Sequence, residues 1–185
     1  MIMKWKSSIP LGGLCVTIVA LLSMGTARAQ APAIIEGTWR TLLLSEVTIA
    51  PCPDGFCGYL SRIVVPEDLL SGAEAEAAAA MQPEDFFDHR NKDPALRSRP
   101  MLGLQILTLR QGGKPHVFEG EIYNPEDGNS YSGYMELLGP DAVRLNGCVL
   151  FNVICRGEDW TRVPPEEVEM RLEAEAAAQA AAPEQ

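Results

Sequence analysis

The sequence predicts a mainly β protein: an antiparallel, up-and-down β-barrel of about eight strands with a partly helical insertion. Three observations predict it. Residues 117–163 read as a ladder of short strands with alternating side chains, joined by turn sequences such as Pro125-Glu126-Asp127-Gly128. The strands are sequential and their connections mostly short, which favours a meander over a Greek key. A sheet of seven or eight strands in so small a chain must twist and close, because open edges invite aggregation.

The N-terminus is read as an export signal and set aside. Lys4 and Lys6 precede an apolar run over 11–24, too short to span a bilayer comfortably, and Ala27-Arg28-Ala29 offers small residues for cleavage after Ala29. Cleavage after Ala31 would place Pro32 immediately beyond the scissile bond. Cys15 follows Leu14, where a lipoprotein signal would carry a small residue, so a soluble exported chain is expected. Signal peptide 1–29 leaves a mature chain of 156 residues, long enough for one core. Removing Lys4, Lys6 and Arg28 from 15 basic residues leaves 12 against 25 acidic ones, a net charge of −13. That charge disfavours nucleic acid and anionic lipid as partners. No stable membrane insertion is expected after cleavage.

Taken in order, residues 35–42 open the first strand and 45–49 the second, alternating polar with apolar residues. A turn at Cys52-Pro53-Asp54-Gly55-Phe56-Cys57 leads into a third strand at 58–65. Residues 66–100 break the β pattern: 67–70 and 73–81 are rich in Ala and Glu and helix-prone, and 88–100 is polar and charged. An insertion of this length in a compact domain is typically a lid or a binding loop. Strands follow at 101–109, 117–123, 131–137, 142–149 and 155–163. The barrel domain is thus read as 30–163. The Ala/Glu-rich tail, 164–185, is expected to lie outside the fold as a flexible, frayed helix with too few large apolar residues to dock.

Four cysteines remain after cleavage, an even number in an oxidising compartment. Of three possible connectivities the simplest is local: Cys52 with Cys57, and Cys148 with Cys155. Each short loop would contribute roughly 2 kcal/mol in the chain-entropy picture. Zinc is the rival reading, since C-x4-C is within metal spacing. C-x6-C is long for it and export favours oxidation, so disulfides are expected and no metal or other cofactor.

With these elements in place the chain resembles an exported bacterial family, domain of unknown function 2147. The resemblance rests on NKDPALRSRPMLGL at 91–104, Cys57-Gly58, GEIYNPEDGNSYSG at 120–133 and the closing Trp160-Thr161-Arg162-Val163. It runs over about 35–163 and implies a small lipocalin-like barrel of unassigned activity, bringing no catalytic residues with it. The Ala/Glu stretch at 73–80 and the Ala/Glu tail depart from it. Gly37-Thr38-Trp39 also resembles the G-x-W of lipocalins and fatty-acid-binding barrels, in which the Trp closes one end beneath a basic side chain. Arg162 is the matching cation here, so Trp39 and Arg162 are read as barrel closure.

The remaining polar residues offer little chemistry. His89 and His116 have no recognisable nucleophile beside them, and 128–133 does not spell a nucleophile elbow. Glu119 and Glu121 share a strand face, read as solvated rather than as an acid–base pair. Residues 125–128 lack the ligand density of a calcium loop. No catalytic residues are assigned. The best-placed polar group is Asn91, Asp93, Arg97 and Arg99 in the insertion. In so acidic a chain its two arginines suit an anion, and the alternative is that all four fasten the insertion to the barrel rim.

The leading expectation is therefore a periplasmic binding module for a small apolar ligand, with interior candidates Leu104, Ile106, Tyr131, Met135, Val143 and Leu145 and the 66–100 insertion over the mouth. Barrels of about eight strands hold one small ligand or none. The alternative is a non-catalytic envelope module, structural or protein-binding, with a packed barrel and an unspecified protein partner.

Overall fold

A computed structural model of the chain describes residues 35–65, 71–72, 76, 81–149 and 154–181. The expected signal peptide and most of the helix-prone insertion lie outside them. Eight strands, β1 (Gly37–Arg40), β2 (Glu46–Cys52), β3 (Gly55–Arg62), β4 (Gln105–Gln111), β5 (Val117–Asn124), β6 (Asn129–Leu137), β7 (Ala142–Val149) and β8 (Ile154–Arg162), form a closed barrel in chain order. Every neighbouring pair is antiparallel, and β1 closes onto β8 through Trp39 opposite Arg162 and Arg40 opposite Thr161. The up-and-down class read from the sequence is the observed one.

Local chemistry sets where strands begin. The apolar run at 101–109 enters its strand only at Gln105, because Met101 to Leu104 make a turn closed by the Leu104 N–H to Met101 carbonyl bond (3.0 Å). Gly103 supplies that turn's positive φ of 79°, open to a residue without Cβ. In the insertion, Pro83–Asp85 and Pro94–Leu96 are short 3-10 turns.

Register and alternation define the inner face. Trp39 lies opposite Val47, Val47 opposite Leu60, Leu107 opposite Ile122, Phe118 opposite Met135, and Val143 opposite Trp160. All are buried and pack into one apolar cluster with Ile35, Ile49 and Leu109. The curvature that closes so narrow a barrel brings strands into close approach at glycine. A Cβ on Gly120 would sit 1.8 Å from the Thr108 carbonyl oxygen, so β5 can pass there only without a side chain.

Both hairpin disulfides are formed. Cys52–Cys57 (Cα–Cα 5.8 Å) ties the β2–β3 turn, and Cys148–Cys155 (4.0 Å) joins residues directly opposite each other on β7 and β8.

The tail is a helix, α1 (Pro165–Ala181), with no buried residue; Met170 and Leu172 are exposed. It lacks an apolar docking face, as its composition suggests. Charge ties it down instead. Arg171 donates to both carboxylate oxygens of Glu46 (3.1 and 2.5 Å), and Arg40 pairs with both Glu46 and Glu167. Glu46 is fully buried beneath these groups and Arg62. The correction has a simple reason: three arginines from β1, β3 and α1 converge on one carboxylate, a convergence only the fold creates.

Candidate ligand-binding site

The barrel has two unlike ends. At one, the N-terminal end of β1 meets the C-terminal end of β8. Trp39 donates its indole N–H to the Ile35 carbonyl (2.9 Å), and the Arg162 guanidinium lies 4.1 Å from the ring centroid of Trp39. Arg162 also donates to the carbonyls of Glu36 (2.7 Å) and Pro140 (2.9 Å), so a charge on the inner face remains hydrogen-bonded. Gly37 explains the G-x-W spacing physically. Its φ is +122°, and a Cβ there would stand 2.6 Å from Arg162 Nη1. Below the plug the interior is filled: Trp39, Val47, Ile49, Leu107, Leu109, Met135 and Val143 are each 2% exposed or less.

The other end carries the 41–45 turn, the 124–129 turn and the ends of β7 and β8 at Val149 and Ile154. Here, among the described residues, the inner positions of β7 and β8 are less buried than at the closed end. Alternation from Val143 carries Leu145, Gly147 and Val149 inward on β7, and register sets Glu158, Arg156 and Ile154 opposite them on β8. Leu145 is half-buried, Val149 is 43% exposed and Ile154 53% exposed. A Cβ added at Gly147 would meet nothing within 4 Å, although the position points inward. Glu158 accepts hydrogen bonds from the Leu42 N–H (2.9 Å) and from Trp160 Nε1 (2.7 Å), which seats the 41–45 turn against β8. Leu42, Leu43 and Leu44 at that turn are exposed, and Leu44 holds a positive φ of 67°. An open depression of about 500 Å³ runs beside the turn, lined by Leu42, Glu158 and outer-face residues including Arg144 and Asp159.

The structure places the interior candidates as follows. Met135 and Val143 are fully buried in the barrel, and Leu104 is buried at the entry to β4. Tyr131 and Leu145 are half-buried on the same face as Met135 and Val143, nearer the open end. Ile106 is half-buried and packs against the same core cluster, in which Leu107 and Leu109 are fully buried. The register of β3 with β4 shifts there, passing from Gly58 opposite Leu107 to Tyr59 opposite Gln105, so strict alternation does not hold at Ile106.

The polar quartet of the insertion is brought together, but around protein partners. Asp88, 1% exposed, accepts from the Tyr123 hydroxyl (2.5 Å), Asn91 Nδ2 (2.8 Å) and Arg99 Nε (2.9 Å). Arg97 Nε donates to the Asn91 carbonyl (2.8 Å), and the Asp93 carboxylate caps the 94–96 turn through the Ala95 N–H (2.9 Å). Tyr123 lies on the outer face of β5, opposite in parity to buried Ile122, so this knot fastens the insertion to the outside of the barrel beside the 124–129 turn. Burial pushes the Asp88 carboxyl up, but the bonds from Tyr123, Asn91 and Arg99 outweigh it and hold it below the ordinary carboxylate range. Burial and the neighbouring Asp88 raise the Tyr123 phenol.

Asp88 and Tyr123 were not singled out in the sequence. The signal available was weak, an aspartate three residues before Asn91 and a tyrosine on a strand. Arg156 and Gly147 were missed for a related reason, since nothing in a single strand says that its inner positions lack a cover. His89 lies against Phe87 (ring centroids 5.8 Å), and His116 faces Glu136 at 3.6 Å. Glu119 and Glu121 are exposed on the outer face. Asp127 accepts from the Asn129 N–H and the Tyr131 hydroxyl, which gives residues 124–129 a turn's internal bonding. Among the described residues no three His, Cys, Asp or Glu side chains are grouped to hold a metal ion.

Comparison with known proteins agrees on the fold and is silent on chemistry. No curated protein matches the sequence. Among solved structures, the chain is similar to HP1028 from Helicobacter pylori, described as belonging to the lipocalin family. The TM-score is 0.57 at 20% identity, covering 72% of this chain and 86% of that one. At that identity the likeness is one of fold. A family model described as an uncharacterized protein conserved in bacteria, DUF2147, matches residues 37–162, from the glycine of the G-x-W to the arginine that covers its tryptophan. The chain belongs to the DUF2147 family.

Proposed function

We propose that this protein is an exported, periplasmic barrel that holds a small, largely apolar ligand at its open end. The observation that carries the reading is the exposure, among the described residues, of the inner face of β7 and β8 toward the open end. Leu145, Val149 and Ile154 point inward where a filled barrel would cover them, and Gly147 faces open space. Small-molecule sites in closed barrels lie at the mouth, lined by apolar side chains with a few polar groups. Two disulfides support an oxidising compartment. Among the described residues no helix is long and apolar enough to cross a membrane. The N-terminal 29 residues are removed on export in this reading.

A second reading is favoured by the other half of the molecule. The closed end is packed to the axis by Trp39, Leu107, Leu109 and Met135, as in a barrel serving only as a rigid module for a protein partner. Native mass spectrometry of the mature protein purified from periplasm, beside the Gly147→Leu variant, separates the two. The binding reading expects a co-purifying apolar compound that Gly147→Leu excludes while the fold is kept. Repeated preparations without any ligand, or one retained by Gly147→Leu, would replace it with the packed module.

A further inference from the structure

Among the described residues, one inward-facing charge at the open end is not used by the fold. Arg156 lies on β8 between Ile154 and Glu158, and alternation from buried Trp160 directs it inward. Its cross-strand neighbour is Gly147, the inward position with nothing within 4 Å of a Cβ. Among the described residues the Arg156 side chain has neither an ion pair nor a hydrogen-bond partner. The other charged groups nearby are committed. Glu158 accepts from Leu42 and Trp160, Arg144 pairs with Asp159 on the outer face, and Asp127 accepts from Tyr131. The arginines elsewhere on the inner or capping surfaces, Arg162, Arg171, Arg40 and Arg99, each have stated protein partners.

From this placement we infer that the ligand of the open end is a single-chain amphiphile with an anionic head. The Arg156 guanidinium takes the head, and Leu145, Val149 and Ile154 take the chain. The inference rests on the ligand-binding reading above and adds the class of ligand to it. Three features point the same way. A guanidinium presents a planar fork of donors that matches carboxylate and phosphate oxygens. The glycine across the strand pair leaves a head group room to reach it. In a chain of so strong a net negative charge, an uncommitted cation is the favourable place for an anion. The chain-binding residues are apolar and uncharged, so an ordinary dianion without a tail would leave them uncovered.

Isothermal titration of the mature protein with decanoate, decyl phosphate and decanol tests this, using wild type and Arg156→Gln, with circular dichroism checking that the variant folds. The expected result is that at least one anionic ligand binds roughly tenfold or more tightly than decanol, as a charge-assisted bond implies. Arg156→Gln should remove that preference and leave decanol binding unchanged. Preference for decanoate over decyl phosphate, or the reverse, identifies which head the arginine takes. Equal binding of all three to wild type, or a preference that survives in Arg156→Gln, overturns the head-group inference and leaves the apolar site standing. Binding of none of the three to wild type overturns both.

Discussion

Arg171→Ala measures how the C-terminal helix is held. Glu46 is fully buried, with Oε1 shared by Arg40 (3.0 Å), Arg62 (3.5 Å) and Arg171 (3.1 Å) and Oε2 bonded to Arg171 (2.5 Å). Losing Arg171 removes a two-point contact with a carboxylate, in which each bond to a charged group is worth about 1.5–3 kcal/mol. The loss is tempered because Arg40 and Arg62 remain and water can reach the vacated side. The net cost is expected at about 2 kcal/mol, below the 3–5 kcal/mol of a buried charge left alone. Since α1 buries no residue, truncation after Pro164 should cost about the same, plus at most about 1 kcal/mol for the Arg40–Glu167 surface pair. Glu46→Ala should cost more than either, because it leaves three cations facing one another. Urea unfolding of the mature chain, followed by far-UV circular dichroism, gives all three values. The thermal midpoint of Arg171→Ala should fall by roughly 4–8 °C for a chain of this length. A truncation costing over 2 kcal/mol more than Arg171→Ala would show that α1 docks through apolar contacts, and the charge argument would be refuted.

Two further predictions concern the insertion and the closed end. Asp88 is held below its ordinary range in the fold, so its contribution is complete above the unfolded carboxylate range, near pH 4, and is lost as pH falls through the lower folded value. The stability difference between wild type and Asp88→Asn should therefore be constant from neutral pH down to about 4 and shrink below it; a difference that grows on acidification would contradict the assignment. Gly37→Ala forces a side chain into a φ of +122° and against Arg162, and should cost about 2–4 kcal/mol with loss of the near-UV signal of Trp39. An unchanged urea midpoint would show that the plug is not a constraint.

How much of this was legible in the sequence depends on the range of the physics involved. Strand alternation, turn residues and cysteine spacing act over a few residues, so the meander, its closure and the two hairpin disulfides could be read directly. Strand β4 marks the limit. The apolar run at 101–109 is visible, but the register shift opposite Gly58 and Tyr59, beside which both Ile106 and Leu107 meet the core, is not. The roles of Asn91, Arg97 and Arg99 depended on Asp88 and Tyr123, the second of them 32 residues from Asn91 in the chain. Glu46 became buried only because arginines from three elements met around it. Sequence alone determined the class of fold, because patterning is local and repeated. Tertiary structure decided which charges are spent on the protein and which, like Arg156, are left facing the open end. That balance is fixed by distances between strands, which no single strand encodes.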